Sequence, residues 1–257
     1  MTHPHLKVET DGAVRTITLD NPARLNAQTP SLWRALADEA RSLPDEVRVV
    51  VLRGAGPSFS AGIDISLFTA AGVPGEESLV DLARGGAEHI VAGIADFQQG
   101  FVTWAEVPAV VIAEVQGHAI GGGFQLALAA DLRVVASDAQ LSMRETSRGI
   151  VPDLGGTKAL VDLVGYSRAL EICATGRVVT GEEAGRLGIA NVVAAPGSLG
   201  EATRQLVDGI LAAPDAALRA LKPLLRSAVG ADLAEQCRRE RETQVGLLLG
   251  LVAAAGG

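Results

Sequence analysis

Three glycine-centred segments carry the most chemical information in the chain. They are Phe59-Ser60-Ala61-Gly62-Ile63-Asp64, Gly117-His118-Ala119-Ile120-Gly121-Gly122-Gly123, and Gly149-Ile150-Val151-Pro152-Asp153-Leu154-Gly155-Gly156. Glycine lets a backbone come close to a ligand and adopt positive φ. Where such a segment opens a helix, unpaired N–H groups sit at the positive end of the helix dipole. That arrangement suits a bound anion or an oxygen that becomes negative during a reaction. Tight turns between packed elements would use the same residues, but three such segments in one chain favour a site.

Other chemistries lack their residues. There is no G-x-x-x-x-G-K-[ST] loop, since Gly156-Thr157-Lys158 has the wrong order. There is no G-x-S-x-G elbow and no G-x-G-x-x-G after a strand. The four histidines, His3, His5, His89 and His118, form no H-E-x-x-H pattern, so no metal site is expected. His3 and His5 are placed in a frayed terminus.

The elements that must position these segments alternate between strand and helix. Residues 14–20 and 47–52 read as strands, the second apolar enough to be covered on both faces. Residues 30–43 read as a helix with Thr29 as its N-cap. Residues 64–80 read as a mobile loop and 81–106 as helix. Strand 109–115, a helix opened by glycines at 121–131, strand 132–136 and a short strand at 191–193 follow. The chain ends in helices near 198–213, 215–229 and 231–250. The pattern predicts an α/β fold, with a core over 1–195 and a helical region over 196–257.

Composition narrows the partners. Of 257 residues, 22 are Lys or Arg and 30 are Asp or Glu, a formal charge of −8 with no basic cluster, so nucleic acid is not expected. Cys173 and Cys237 make no disulfide framework and read as reduced thiols. The first ten residues show no apolar leader, and the apolar tail 245–257 falls short of the roughly 18–20 residues that span a bilayer. A soluble cytoplasmic protein is expected.

Several segments together resemble the enoyl-CoA hydratase/isomerase family, the crotonase superfamily. They are Leu19-Asp20-Asn21-Pro22 with Asn26-Ala27, the 59–64 and 117–130 segments, 149–157, and Leu187-Gly188-Ile189-Ala190-Asn191-Val192-Val193. The resemblance covers nearly the whole chain. It implies a spiral of ββα units whose helical C-terminal part builds trimers or hexamers. It implies an acyl-CoA substrate with no separate cofactor, its thioester oxygen held by the N–H groups of Ala61 and Gly122. Residues Gly62, Ile63, Asp64 and Gly121 would border the substrate. Arg24 is a candidate for the CoA phosphates, with Lys222 and Arg226 as others.

Hydratases of the family use two glutamates. The second matches Glu145, but the first position holds Gln125, whose amide can bind substrate or water and cannot serve as a base. Asp153, eight residues beyond Glu145, matches a carboxylate that assists proton transfer in related isomerases and is the nucleophile in related dehalogenases. The resemblance therefore implies a double-bond isomerase with Glu145 and Asp153 as its acids and bases. Hydration, non-catalytic acyl-CoA binding and displacement at Asp153 are the alternatives.

Overall fold

The computed structural model describes residues 3–69 and 71–255. Met1, Thr2, Ala70, Gly256 and Gly257 lie outside it, so the ends of the leader and tail readings and one position of the 64–80 loop are not addressed.

Six strands form the main sheet: β1 (Leu6–Asp11), β2 (Val14–Leu19), β3 (Val49–Gly54), β4 (Val110–Val115), β6 (Leu132–Ala136) and β9 (Val192–Ala194). They lie in the order β1-β2-β3-β4-β6-β9. The β1/β2 pair is antiparallel and every other pair is parallel. Side chains of a strand alternate between faces, and the core divides accordingly. Val50, Leu52, Val111, Ala113 and Val135 face one apolar cluster, while Val49, Val51, Ile112 and Val134 face another. Continuous apolar runs are thus explained by cover on both sides.

The larger cluster lies under α1 (Pro30–Arg41), α3 (Ala87–Glu106) and α4 (Gly122–Ala129). Trp33 stacks at a tilt on Phe97 and Phe101, 5.2 and 5.8 Å between ring centres, joining α1 to α3. Thr29 caps α1 through a bond from the Leu32 N–H, as expected. The smaller cluster is closed by α8 (Leu199–Leu211), through Leu206, Val207, Ile210 and Leu211.

A second sheet of three short strands, β5 (His118–Ile120), β7 (Gln140–Ser142) and β8 (Val179–Thr180), carries the 117–123 glycine segment, and Ser60 of the first segment bridges to it at Ala119. Its strands are too short to show a period, and none was expected from the sequence. The N-terminus is also corrected. β1 pairs with β2 along its whole length, and His3 bonds Ser31 at 3.0 Å, so the segment is not frayed. Residues 81–106 divide at Gly85-Gly86 into α2 (Leu79–Arg84) and α3, with Gly86 at φ +84°. The 64–80 segment contains a 3-10 turn, Ile65–Phe68, with Leu67 fully buried.

The remaining helices are α5 (Gly156–Val164), α6 (Tyr166–Thr175), α7 (Gly181–Arg186), α9 (Asp215–Ala228) and α10 (Leu233–Ala255). No helix among the described residues is long and apolar enough to cross a membrane.

Candidate active site

The 59–64 segment is fixed from below by buried amides. Asn26 donates to the carbonyls of Ala55 and Ser58 at 2.9 and 2.8 Å. Gln28 donates to Ser60 Oγ at 3.0 Å and accepts from the Trp33 indole at 2.9 Å. Bridges Gln28–Ile63 and Ser60–Ala119 then lay the segment against β5. Gly62 is required at the crossing. Its φ is +83°, and a Cβ there would stand 2.3 Å from the Ile120 carbonyl oxygen and 3.2 Å from the Gly122 nitrogen.

The geometry corrects one expected donor. The Ala61 N–H is already bonded to the Leu25 carbonyl at 2.8 Å and cannot also hold a thioester oxygen. Gln28 pairs with Gly62 and Asp64 along one edge of the segment, which turns the Ile63 N–H to the other edge. Neither the Ile63 nor the Gly122 N–H has an acceptor among the described residues. A Cβ on Gly122 would lie 3.7 Å from the Ile63 nitrogen, so the two groups are neighbours. Gly122 opens α4, which adds the helix dipole. The open, adjacent N–H groups are therefore those of Ile63 and Gly122, the first two residues beyond the expected Ala61. Gly121, at φ +53°, supplies the bend into α4, and its own N–H goes to the Ser142 carbonyl.

Glu145 follows β7 and begins a 3-10 turn, Thr146–Arg148. Its carbonyl accepts from Arg148 and Ile150, which anchors the backbone. The side chain is buried. Gln125 Nε2 donates to Oε1 at 2.7 Å, while Oε2 is buried with no partner. Burial above all, and then the charge of Asp153, push the Glu145 carboxyl above its ordinary range. Burial does the same to Asp153. A raised carboxylate is the property a general base needs near neutral pH. Cys173 on α6 lies close by: its carbonyl accepts from the Thr146 hydroxyl, and its thiol is raised by burial and then by the Glu145 charge.

Gln125 lies in α4 and joins the two acidic segments. Its Oε1 accepts from the N–H groups of Leu154 and Gly156, at 2.9 and 3.3 Å. Gln98 of α3, which no sequence signal marked, donates to the Asp153 carbonyl at 2.7 Å. The structure thus brings together Gly121, Gly122, Gln125, Glu145 and Asp153.

The basic residues expected at CoA phosphates fare differently. Arg24 Nη2 bonds both oxygens of Asp64 at 2.9 Å, and Asp64 also caps the Ser66 N–H. Arg24 stays half exposed at the rim. Lys222 is buried and paired with Asp131 at 2.7 Å, so it is removed as a phosphate ligand. Arg226 lines a cleft of about 810 Å³ between α3, α4, α5 and α9, which Gln125 and Leu154 also line and Glu145 does not. A second cleft of about 510 Å³, lined by Phe68, Leu79, Val80, Ala83, Arg84 and Ile150, adjoins the Glu145 turn through Ile150. Neither cleft is lined by Glu145 or Asp153 themselves; the smaller reaches them through Ile150, whose N–H bonds the Glu145 carbonyl, and the larger through Gln125 and Leu154. No group of three or more His, Cys, Asp or Glu among the described residues could hold a metal ion.

Known proteins share this sequence and fold. A sequence model of the enoyl-CoA hydratase/isomerase family matches residues 9–248. A Rhizobium meliloti protein named "Probable enoyl-CoA hydratase" is 31% identical over 243 residues, 94% of this chain and 88% of its own length. The carnitinyl-CoA dehydratase of Salmonella typhi is 35% identical over 225 residues, 86% of this chain and 80% of its own. A Thermobifida fusca YX protein crystallised with CoA superposes with a TM-score of 0.91 at 44% identity, over 97% of this chain and 95% of that one. With a family match over most of its length and a neighbour that follows it almost end to end, this chain belongs to the enoyl-CoA hydratase/isomerase family.

Proposed function

We propose that the protein binds an acyl-CoA thioester and shifts a carbon–carbon double bond in its acyl chain. The thioester oxygen sits between the Ile63 and Gly122 N–H groups. Glu145 Oε2 removes a proton from C2 of a 3-enoyl or 3,5-dienoyl thioester. The electron pair moves onto the thioester oxygen as a dienolate, where two fixed N–H donors stabilise the charge. Return of a proton to the γ carbon, or the ε carbon of a dienoyl chain, from Glu145 or from Asp153 completes the shift. No water is consumed. The smaller cleft, beside Ile150, takes the acyl chain, and no separate cofactor enters.

The observation that carries this reading is Gln125. It occupies the place of a second acid, and both of its polar atoms are committed to holding Glu145 and the Leu154–Gly156 backbone. Hydration is the second reading, favoured by relatives named enoyl-CoA hydratase and carnitinyl-CoA dehydratase. In it, Asp153 would position the water. The same family reading expects a homotrimer or a dimer of trimers, with exposed Leu221, Leu225, Val229 and Leu233 covered by neighbouring copies.

A panel of 2-enoyl, 3-enoyl and 3,5-dienoyl thioesters of CoA separates the readings by product. Isomerisation predicts conjugated products from the 3-enoyl and dienoyl members and slow water addition to the 2-enoyl member. Faster hydration than isomerisation transfers the assignment to the second reading. Tight binding with no turnover of any member leaves an acyl-CoA-binding protein.

A further inference from the structure

Gln125 makes three hydrogen bonds in a buried place, and none of them is to its own helix. Nε2 reaches Glu145 Oε1, and Oε1 takes the N–H groups of Leu154 and Gly156. The contact is close on every side. A Cβ on Gly156 would stand 2.7 Å from Gln125 Cγ, so only glycine leaves the amide this position. A Cβ on Gly121 would lie 3.4 Å from Glu145 Oε1, and Glu145 Oε2 has no partner. The two carboxylate oxygens are therefore unequal: one is fixed to an amide and the other is free.

We infer that Gln125 is a positioning residue that makes Oε2, rather than Oε1, the proton-transferring oxygen of Glu145 and ties the Glu145 turn to the Asp153 loop. This rests on Glu145 being the base, as proposed above. An amide in this place donates to the carboxylate and never repels it. A carboxylate here would face Glu145 Oε1 as a like charge, and the pair would share a proton. The substitution of glutamine for an acid thus acts on Glu145 itself, beyond removing a second catalyst. The polar and titratable groups near the Glu145 carboxyl are Gln125 from α4, which bonds it, and Asp153 from the loop before α5 and Cys173 from α6, which act on it through charge.

The test compares the full-length protein with Q125M, Q125E and G156A. Glutamate-labelled carboxyl NMR, assigned with E145Q, follows the Glu145 titration without substrate. The pH profile of kcat/KM for a 3-enoyl thioester follows the same group in turnover. Loss of the amide donor in Q125M should move the Glu145 titration and the acidic limb upward together. It should lower kcat about 10–100-fold with KM changed less than about threefold. G156A, which presses on Gln125 from the other side, should do the same to a smaller extent and serves if Q125M fails to fold. Q125E keeps acceptors for Leu154 and Gly156, and Glu145 should then titrate in two steps. An unmoved Glu145 titration in folded Q125M or G156A, or a single unshifted step in Q125E, overturns the inference. If the wild-type protein isomerises no thioester, the isomerase reading fails, while the carboxyl titration still decides the role of Gln125.

Discussion

Two buried charges lie at opposite ends of α4, and they are treated in opposite ways. Beyond its C-terminal end, Lys222 is fully partnered. Its ammonium donates to the carbonyls of Trp104 and Ala109 and pairs with Asp131, which also accepts from the Val111 N–H. Near its N-terminal end, Glu145 has one oxygen bonded to Gln125 and the other buried with nothing. A buried charge is costly unless its hydrogen-bonding capacity is filled. The first arrangement fills it and joins α9 to β4 and α3. The second leaves one lone-pair site open beside two unpaired N–H groups. The complete set of partners suits a structural charge, and the open oxygen suits the proton transfer proposed for Glu145.

Breaking each charge should therefore have a different kind of consequence. The largest effect is expected from Glu145→Gln. The amide retains an oxygen for Gln125 but accepts no proton, so the isomerisation rate should fall about 10²–10⁴-fold with little loss of fold, as for removal of a general base. Near-normal turnover by this variant removes Glu145 from the mechanism. Next comes Lys222→Met. It strands the Asp131 carboxylate and two carbonyls, and should cost about 3 kcal/mol of stability in a denaturant titration. The kcat/KM of the folded fraction should stay within about threefold, because Lys222 lies away from the carboxylates. If Lys222→Met instead weakened CoA binding without loss of stability, the contrast between the two ends would be wrong.

Much of this contrast was legible in the residues, though unevenly. The glycine segments, Glu145, Gln125 and Gly122 stand out because backbone approach and acid chemistry need particular residue types. Five strands of the main sheet were legible because alternating or apolar runs such as 14–20 and 47–52 have few other uses; β1, a half-polar edge strand (LKVETD), was not, and its residues were read as terminus. The three-stranded sheet was not, since strands of two or three residues are held by neighbours and carry no period of their own. The shift from Ala61 to Ile63 was also hidden. Both lie in one motif, and only the bond from the Ala61 N–H to the Leu25 carbonyl shows which donor is spent. Lys222 read as a candidate phosphate ligand because its partner, Asp131, is remote in sequence. Gln98 had no signal at all, because it acts through a carbonyl that any residue at 153 would provide.

The smallest effect follows from the open oxygen and sharpens the comparison most. Burial raises the Glu145 carboxyl above its unfolded value, so the folded state favours the protonated acid. Its contribution to stability is therefore present below the unfolded pKa and is lost as pH rises through the folded one. Asp153, raised by burial too, adds to the same trend. Glu145→Gln removes the titration while keeping the shape. The variant should be more heat-stable than the wild type at pH 8, by less than the Lys222→Met loss, and the gain should shrink toward pH 4, where Glu145 is already protonated. Thermal unfolding of both proteins across that range gives the difference directly. A gain that is constant with pH would mean that folding leaves the Glu145 carboxyl unshifted, and a gain that falls as pH rises would mean that the carboxylate is stabilised when folded, with Oε2 as fully partnered as the Lys222 ammonium.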